Sequence, residues 1–534
     1  MKKMNKLLAL VLAMVMVLGL ATVASAATVN VPNDGILKDH TFAAYQIFAG
    51  DYEAEGQTAG ILSNVTWGSG ISSDAFLTAL KADTSYGSLF TNCTDAAAVA
   101  KVLGENNTNT ALANAVAKLA YANKTGSGTA LTSGENTLDD GYYLVVDTTP
   151  NVGEGGAYNA SLLQVVGTVN ITAKTDAPSV EKKVLENVKY NQDGGYGNGY
   201  NDVADYNMGD TVSFHLIGKV PNMDNYDTYK YIFHDTMSAG LTFDKSSVKV
   251  YVADDAKGTN QTLITGSWEV KDGENGETFT VSCNNIKAIE GVSRGKYIIV
   301  EYTATLNQNA VVGLNGNPNK VYLEYSNKPD QSGSGDNDNT GKTPEDKVIV
   351  FTYELDTTKV DGQDNTKKLD GAEFKLKNAA DKWAIVDSTS FKVTGWSDTE
   401  EGGSKLTSDA NGLFKVIGLD DGTYHLKETK APAGYNLLAD EITVVITATT
   451  TNGQNWTDGQ ASSALTNLAV TADNNPGTVD NNKGIASITV ANNKGSTLPE
   501  TGGIGTTIFY VLGGMLVVCA VVLMVSKKRM SAEG

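Results

Sequence analysis

Alternating apolar and polar residues recur along most of the chain. In residues 211–216, 297–305 and 321–325 every second side chain is apolar, which is typical of a strand that packs one face on a core. Clusters of Gly, Asn and Asp separate such segments, as turns between short strands require. The pattern predicts a mainly β protein.

A second period appears in the first third of the chain. Residues 41–48 and 141–146 have the pattern of strands, whereas 96–103 and 111–122 carry Ala, Leu and Lys at helical spacing. We interpret these Ala-rich segments as helices inserted at the edge of a sheet structure.

The density of short strands predicts three tandem immunoglobulin-like β-sandwich domains, the first with helical insertions. Their expected bounds are 27–176, 177–350 and 351–495, and a chain of 534 residues suits three or four domains of ~150 residues. The polar Gly/Ser/Asp/Asn stretch 330–342 is interpreted as a linker or surface loop. Its aspartates could also form a calcium loop, but the EF-hand spacing is missing.

The N-terminus has the pattern of a secretory signal. Lys2, Lys3 and Lys6 precede the apolar run 7–23, and the small residues 24–26 (Ala-Ser-Ala) follow it. A signal peptidase needs small residues around the bond that it cleaves. We therefore expect residues 1–26 to be removed and the mature chain to begin at Ala27.

The C-terminus combines three signals in a fixed order. A pentapeptide precedes the apolar stretch 504–525, which is long enough to cross a bilayer, and the basic residues 527–529 follow it. The pentapeptide consists of Leu498, Pro499, Glu500, Thr501 and Gly502. This order resembles the cell-wall sorting signal of Gram-positive surface proteins, so the span is expected to be a temporary anchor. The resemblance implies that a sortase cleaves between Thr501 and Gly502.

Composition excludes several functions. The 41 Lys and Arg residues against 61 Asp and Glu give a net charge of −20, which argues against a nucleic-acid partner. The chain has four His residues and lacks a Ser/His/Asp set, an HExxH motif and a nucleotide-binding loop, so we predict neither an enzyme nor a cofactor or metal site.

The cysteines at 93, 283 and 519 follow no zinc or disulfide spacing. A secreted chain of this kind needs another source of stability.

The middle domain directs three polar side chains towards its expected core. Alternation in the strand around 180–184 points Lys182 inward and Lys183 outward. By the same alternation, Asp235 and Asn327 each lie on the inward-facing side of their own strand. Three such groups in an apolar interior are costly unless they pair with one another.

The last domain repeats this arrangement. Lys359 continues the inward face of the strand that begins at 351, and Asn492 ends the final strand. Glu428 lies at an inward position of the strand 424–428. Burial should lower the lysine pKa and raise the carboxyl pKa, because it disfavours both charged forms. From the residues alone, the set is interpreted as a buried salt bridge capped by an asparagine amide.

Specific motifs identify a family resemblance. Residues 369–374 (LDGAEF) and 428–435 (ETKAPAGY) look like a Cna B-type domain. Residues 226–229 (YDTY) and 234–243 (HDTMSAGLTF) look like the isopeptide-forming middle domain of Gram-positive fimbrial proteins. Together with the two terminal signals, most of the chain resembles a sortase-assembled backbone, or major, pilin.

The resemblance implies two autocatalytic intramolecular isopeptide bonds. Asp235 would assist a Lys182–Asn327 bond, and Glu428 a Lys359–Asn492 bond, each with the loss of ammonia. Neighbouring residues remain alternatives for these roles, namely Lys183, Asn285 and Asn493.

The resemblance also implies intermolecular links. A pilin needs an acceptor lysine near the end of its first domain, and Lys174 occupies that place, although the family's Tyr-Pro pair is Thr172-Ala173 here. The expected partners are a sortase, other copies of the chain, minor pilins, peptidoglycan and a host surface ligand. The alternatives are that Lys174 is an ordinary solvated lysine and that the chain is a monomeric wall-anchored adhesin or a minor pilin.

Overall fold

The structure is a computed structural model. It describes residues 27–52, 61–165, 168–174, 176–187, 199–330, 340–450, 461–495 and 504–530. The predicted signal peptide (1–26) and the pentapeptide 498–502 lie outside the described residues.

The first block of the chain combines two sheets with four helices. Its strands are β1 (Ala27–Val31), β2 (Phe42–Tyr52), β3 (Leu62–Trp67), β4 (Thr129–Leu131), β5 (Gly134–Leu138), β6 (Gly141–Asp147), β7 (Leu162–Val165) and β8 (Thr168–Asn170). Its helices are α1 (Ser73–Ala82), α2 (Gly87–Phe90), α3 (Ala96–Glu105) and α4 (Thr110–Ala122). One sheet has the order β5-β1-β8, and the other has the order β3-β2-β6-β7 with β4 also paired to β2.

The larger of these two sheets is covered on both faces. Alternation along β2 directs Ala43 and Tyr45 to the helices, and Phe42 and Ala44 to the smaller sheet. The predicted helical insertion is confirmed, and it is longer than the sequence indicated because α1 and α2 also belong to it. Asp95 and Asn109 cap α3 and α4 by accepting hydrogen bonds from backbone N–H groups.

The second block is a sandwich of two sheets. Its strands are β9 (Val180–Leu185), β10 (Tyr200–Asn201), β11 (Val203–Asp205), β12 (Thr211–Lys219), β13 (Tyr231–Met237), β14 (Leu241–Ala253), β15 (Thr262–Leu263), β16 (Glu269–Asp272), β17 (Phe279–Cys283), β18 (Tyr297–Leu306), β19 (Asn317–Ser326), β20 (Thr340–Lys342) and β21 (Asp346–Phe351). The sheet β10-β9-β12-β18-β14-β15 faces the sheet β11-β21-β19-β13-β17-β16, in which β20 also pairs with β19. Aromatic side chains from both sheets, among them Phe214 and Phe233, fill the core between them.

The third block is also a sandwich. Its strands are β22 (Tyr353–Asp361), β23 (Asp364–Lys368), β24 (Glu373–Asn378), β25 (Trp383–Val386), β26 (Val393–Ser397), β27 (Leu406–Thr407), β28 (Leu413–Leu419), β29 (Gly422–Lys430), β30 (Ile442–Thr450), β31 (Leu465–Ala472), β32 (Asn475–Pro476), β33 (Thr478–Asp480) and β34 (Ile485–Asn492), with the short helix α5 (Ala461–Ala464). One sheet has the order β23-β22-β34-β33, with β28 also on β22. The other has the order β26-β25-β24-β29-β30-β31-β32, with β27 on β24.

The first and last strands of the third block are adjacent and parallel. In the register of β22 and β34, Lys359 lies opposite Val490, and Asp361 lies opposite Asn492. Force that entered at the start of β22 and left at the end of β34 would therefore shear this pair of strands. The pair is the natural place for a mechanical reinforcement.

The second and third blocks share a continuous apolar core. The Met208 N–H donates to the Gly418 carbonyl over 2.9 Å, and the Gln308 side chain donates to the Val393 carbonyl over 2.7 Å. The first and second blocks also touch, since the Tyr158 N–H donates to the Asn327 carbonyl over 2.9 Å.

Lys183 departs from its predicted exposure. The residue is 2% exposed, and its Nζ lies 2.5 Å from Oδ1 of buried Asp202. The prediction that it faces solvent is wrong because buried Asp202 covers this face of β9 at Lys183, although Glu181 on the same face is exposed.

A final helix, α6 (Ile504–Met530), follows the sandwiches. Its segment Thr507–Arg529 is long and apolar enough to cross a membrane, and its side chains pack on no other part of the described chain. The length and composition of this segment agree with the predicted membrane-crossing stretch 504–525.

Candidate functional site: two buried lysine clusters

The second sandwich encloses a cluster of three polar side chains. The Lys182 Nζ of β9 donates to Asp235 Oδ2 of β13 and, over 2.6 Å, to Asn319 Oδ1 of β19. All three residues are 0% exposed. A lysine from one sheet therefore reaches a carboxyl and an amide from the facing sheet, which offsets the cost of burying them. Asp235 Oδ1 has no hydrogen-bond partner among the described residues.

The amide in this cluster belongs to Asn319, not to the predicted Asn327. Both residues have the inward parity of β19, but the antiparallel register places Val321 opposite Asp235, and Asn319 is one inward position away. Asn327 follows the other end of the strand, ~26 Å further along at ~3.3 Å per residue. The alternative Asn285 is also elsewhere, where its side chain accepts from the Tyr229 N–H.

Tyr302 of β18 completes the cluster, and the sequence analysis did not identify it. Its hydroxyl donates to Asp235 Oδ2 over 2.8 Å and accepts from Asn319 Nδ2 over 3.0 Å. Its parity in the alternating segment 297–305 indicated only a core position.

The third sandwich contains the corresponding cluster, built from the three residues that the sequence placed together. The Lys359 Nζ donates to Asn492 Oδ1 and lies 3.7 Å from Glu428 Oε1. The Asn492 Nδ2 donates to both Glu428 oxygens, over 3.0 and 2.9 Å. Neighbouring Asn493 uses its backbone carbonyl to accept from the Asn436 N–H.

Burial changes the acid–base character of these groups. Desolvation lowers the pKa of Lys182 to about 8, although the Asp235 charge opposes this shift, and it lowers the pKa of Lys359 to about 8 against the opposing charge of Glu428. Desolvation also raises the Asp235 pKa, against the effect of Lys182. Both lysines are thus more readily available as neutral amines, which are nucleophiles, than a solvated lysine is.

Lys174 lies between the first and second blocks. Its backbone N–H donates to Asn159 Oδ1 over 2.6 Å, and its carbonyl accepts from Asn225 Nδ2 over 3.0 Å. The residue is exposed, while partial desolvation lowers the pKa of its amine. The backbone is held in place and the side chain is accessible.

Three carboxylates between the second and third blocks are close enough to share a cation. Ligand atoms of Asp205, Asp420 and Asp421 lie within 4.8 Å of one another, and all three residues are buried. Oxygen ligands of this kind suit a hard cation such as Ca²⁺. Protonation is the other way to stabilise them, since desolvation and the charges of Glu186 and Asp421 raise the Asp205 pKa well above its ordinary value.

This carboxylate group predicts a pH dependence. Desolvation, followed by the charges of Asp205 and Glu186, raises the Asp420 pKa above 3.8, so the folded chain keeps protons that the unfolded chain loses. The unfolding free energy should therefore fall as the pH rises from 3.8 through the raised pKa. Asp420→Asn should reduce this fall and raise stability at pH 7 by about 1 kcal/mol or more. Calorimetry across pH measures both effects, with exposed Asp370→Asn as the control. Stability that rises with pH over this range would contradict the prediction.

Tandem β-sandwiches followed by a membrane-length helix are typical of a surface protein with a C-terminal anchor. Residues 491–531 match the LPXTG cell wall anchor motif. Residues 208–329 match the Gram-positive pilin backbone subunit 2, Cna-B-like domain, and residues 354–460 match a prealbumin-like fold domain. By these matches the chain is similar to Gram-positive backbone pilins, which supports a structural subunit of a pilus.

Known relatives agree with this assignment. The chain is 26% identical over 416 residues to the trypsin-resistant surface T6 protein of Streptococcus pyogenes serotype M6, covering 67% of this chain and 70% of that protein. It is 27% identical over 289 residues to fimbrial subunit type 2 of Actinomyces naeslundii, covering 44% of this chain and 46% of that protein. The modular three-domain structure of the T6 backbone pilin of S. pyogenes serotype M6 superposes with a TM-score of 0.51 at 21% identity, over 90% of this chain and 100% of that one, which supports the fold.

Proposed function

We propose that this chain is the repeating subunit of a covalently polymerised pilus shaft, with an internal Lys–Asn isopeptide bond in each of its last two sandwiches. The observation that carries this proposal is the Lys359–Glu428–Asn492 cluster. Lys359 and Asn492 lie on the adjacent first and last strands of one sandwich, and Glu428 reaches them from β29 of the other sheet. The proposal keeps the division of the mature chain into domains at 27–176, 177–350 and 351–495.

The reaction in the last domain needs no group from outside the cluster. The neutral Lys359 amine attacks Cγ of Asn492, and Glu428 takes a proton from Nζ and delivers it to Nδ2. The Cγ–Nδ2 bond breaks and ammonia leaves, so one amide replaces another. The hydrogen bonds from Nδ2 to both Glu428 oxygens place the proton carrier at the leaving atom.

In the middle domain we propose a Lys182–Asn319 bond, with Asp235 as the carboxyl that assists it. This pair replaces Lys182–Asn327, because Asn319 is the amide within hydrogen-bond distance of the amine. The bond formed and the ammonia lost are the same as in the last domain.

These bonds would divert tension around most of each domain. Force that enters at β22 would pass from Lys359 through the new amide to Asn492, so residues 360–491 would carry none of it. In the middle domain residues 183–318 would be protected in the same way. The three cysteines remain free, so the bonds supply the reinforcement that disulfides give other secreted proteins.

Polymerisation would join the C-terminus of one subunit to Lys174, between the first and second blocks, of another. A sortase would cleave between Thr501 and Gly502 and transfer the Thr501 carbonyl to the Lys174 amine of another copy. One C-terminus joined to one lysine repeats without closure, so the product is an open filament. At one end of the filament the Thr501 carbonyl would pass to peptidoglycan or to a minor pilin, and at the other end Lys174 would accept the carbonyl of a minor pilin.

The mass of the mature ectodomain tests the internal bonds. We expect an intact mass below the sequence mass by two ammonia molecules, one for each bond. Proteolytic mapping should then find Lys182 joined to Asn319 and Lys359 joined to Asn492. A mass equal to the sequence mass would reject both bonds, and a Lys182–Asn327 peptide would reject the revised pairing.

A further inference from the structure

The two clusters differ in how the carboxyl reaches the leaving nitrogen. In the last domain Asn492 Nδ2 donates directly to Glu428. In the middle domain no hydrogen bond between described residues joins Asp235 to Asn319, and the Tyr302 hydroxyl lies between them, 2.8 Å from Asp235 Oδ2 and 3.0 Å from Asn319 Nδ2. Asp is one methylene shorter than Glu, and the hydroxyl occupies the resulting gap.

We propose that Tyr302 is a catalytic residue of the middle domain, whose hydroxyl relays a proton from Asp235 to the amide nitrogen of Asn319 as the Lys182–Asn319 bond forms. This inference rests on the proposed internal bond. It assigns to the middle domain a second catalytic group, besides Asp235, that the last domain does not use.

The relay balances every proton. The neutral Lys182 amine attacks Cγ of Asn319 and passes one proton to Asp235 Oδ2, with which its Nζ already forms a hydrogen bond. Oδ2 passes a proton to the Tyr302 oxygen while the Tyr302 O–H proton moves to Nδ2, whose lone pair is free in the tetrahedral intermediate. The Cγ–Nδ2 bond then breaks and ammonia leaves. Asp235 and Tyr302 end in their starting protonation states.

The surroundings of Tyr302 hold the hydroxyl in this position. The ring stacks on Phe214 with centroids 5.3 Å apart and contacts the edge of Phe279 at 5.0 Å. Burial and the Asp235 charge raise the pKa of Tyr302 well above its ordinary value, so the phenol gives up one proton only as it receives another. In the last domain the aromatic neighbour of the Lys359 amine is Phe374, at 5.8 Å, which has no hydroxyl.

Tyr302→Phe in the full-length chain tests the relay. The chain is produced without sortase, extracted in detergent and digested, and the linked peptides are quantified by mass spectrometry. We expect formation of the Lys182–Asn319 link to slow about a hundredfold, while the Lys359–Asn492 link in the same molecules forms as in the wild type. Tyr231→Phe is the matched control, because Tyr231 is equally buried in this core but donates its hydroxyl proton to the Lys219 carbonyl.

A second variant separates catalysis from packing. Asp235→Glu combined with Tyr302→Phe adds the methylene and removes the hydroxyl, so the carboxyl should reach Nδ2 directly as Glu428 does. We expect this double variant to regain the link, which a purely structural role of the hydroxyl would not allow. If Tyr302→Phe alone fails to fold, the double variant still tests whether Tyr302 relays the proton.

Three results would overturn the relay: an undiminished link in Tyr302→Phe, an equal loss in Tyr231→Phe, or a double variant that folds but stays unlinked. A wild-type chain that folds without a Lys182–Asn319 link would instead overturn the proposed bond itself, and the relay with it.

Discussion

Glu428→Ala should produce a last domain that folds without its internal bond, regains one ammonia in its mass and unfolds at a much lower temperature. Without Glu428 nothing in the cluster carries the proton from Lys359 to Asn492, so both remain as separate buried groups. The lost bond would have closed a loop between residues 133 apart. A cross-link over a loop of that size contributes about 4–5 kcal/mol, which corresponds to a decrease in Tm on the order of 15 °C.

Calorimetry and intact mass measure this prediction together. Glu401→Ala, at an exposed position of the same domain, is the control and should keep both the ammonia loss and the wild-type Tm. The middle-domain link in the same molecules is an internal standard. If Glu428→Ala still lost two ammonia molecules, the carboxyl would have no role in the reaction.

Local periodicity predicted much of the candidate site. A period of two residues fixes which side chains share a face, so the inward positions of Lys182, Lys359 and Asn492 followed from their own strands. The same reasoning placed Asp235 and Glu428. These assignments needed no knowledge of which strands are neighbours.

Pairing between distant strands could not be predicted in this way. Asn319 and Asn327 have the same parity, and only the antiparallel register of β13 with β19 shows which of them lies beside Asp235. Tyr302 has the pattern of an ordinary core aromatic until β18 is placed opposite β13 and β19. Lys183 was predicted to be exposed because alternation assumes a strand with one covered face, whereas Asp202 covers the second face of β9 at this position.

Lys174→Arg should abolish the pilus ladder and leave the subunit otherwise intact. Sortase-linked polymers resist boiling in detergent, so the wild type should give a ladder on a blot of wall extract. An acceptor must be a neutral amine when it attacks the thioester between Thr501 and the sortase. A guanidinium stays protonated and cannot act as this nucleophile, although it keeps the positive charge. The variant should therefore fold, form both internal bonds and reach the wall as single subunits.

The structure makes this test selective. Lys174 is exposed, whereas Lys182 and Lys359 are enclosed in their sandwiches and Lys183 is buried against Asp202. Exposed Lys38→Arg in the first block is the matched control and should keep the ladder. A ladder that persists in Lys174→Arg would move the acceptor to another exposed lysine. Single subunits from the wild type, in cells that contain its sortase, would favour a monomeric wall-anchored adhesin, because the proposed internal bonds would stiffen a stalk as well as a shaft.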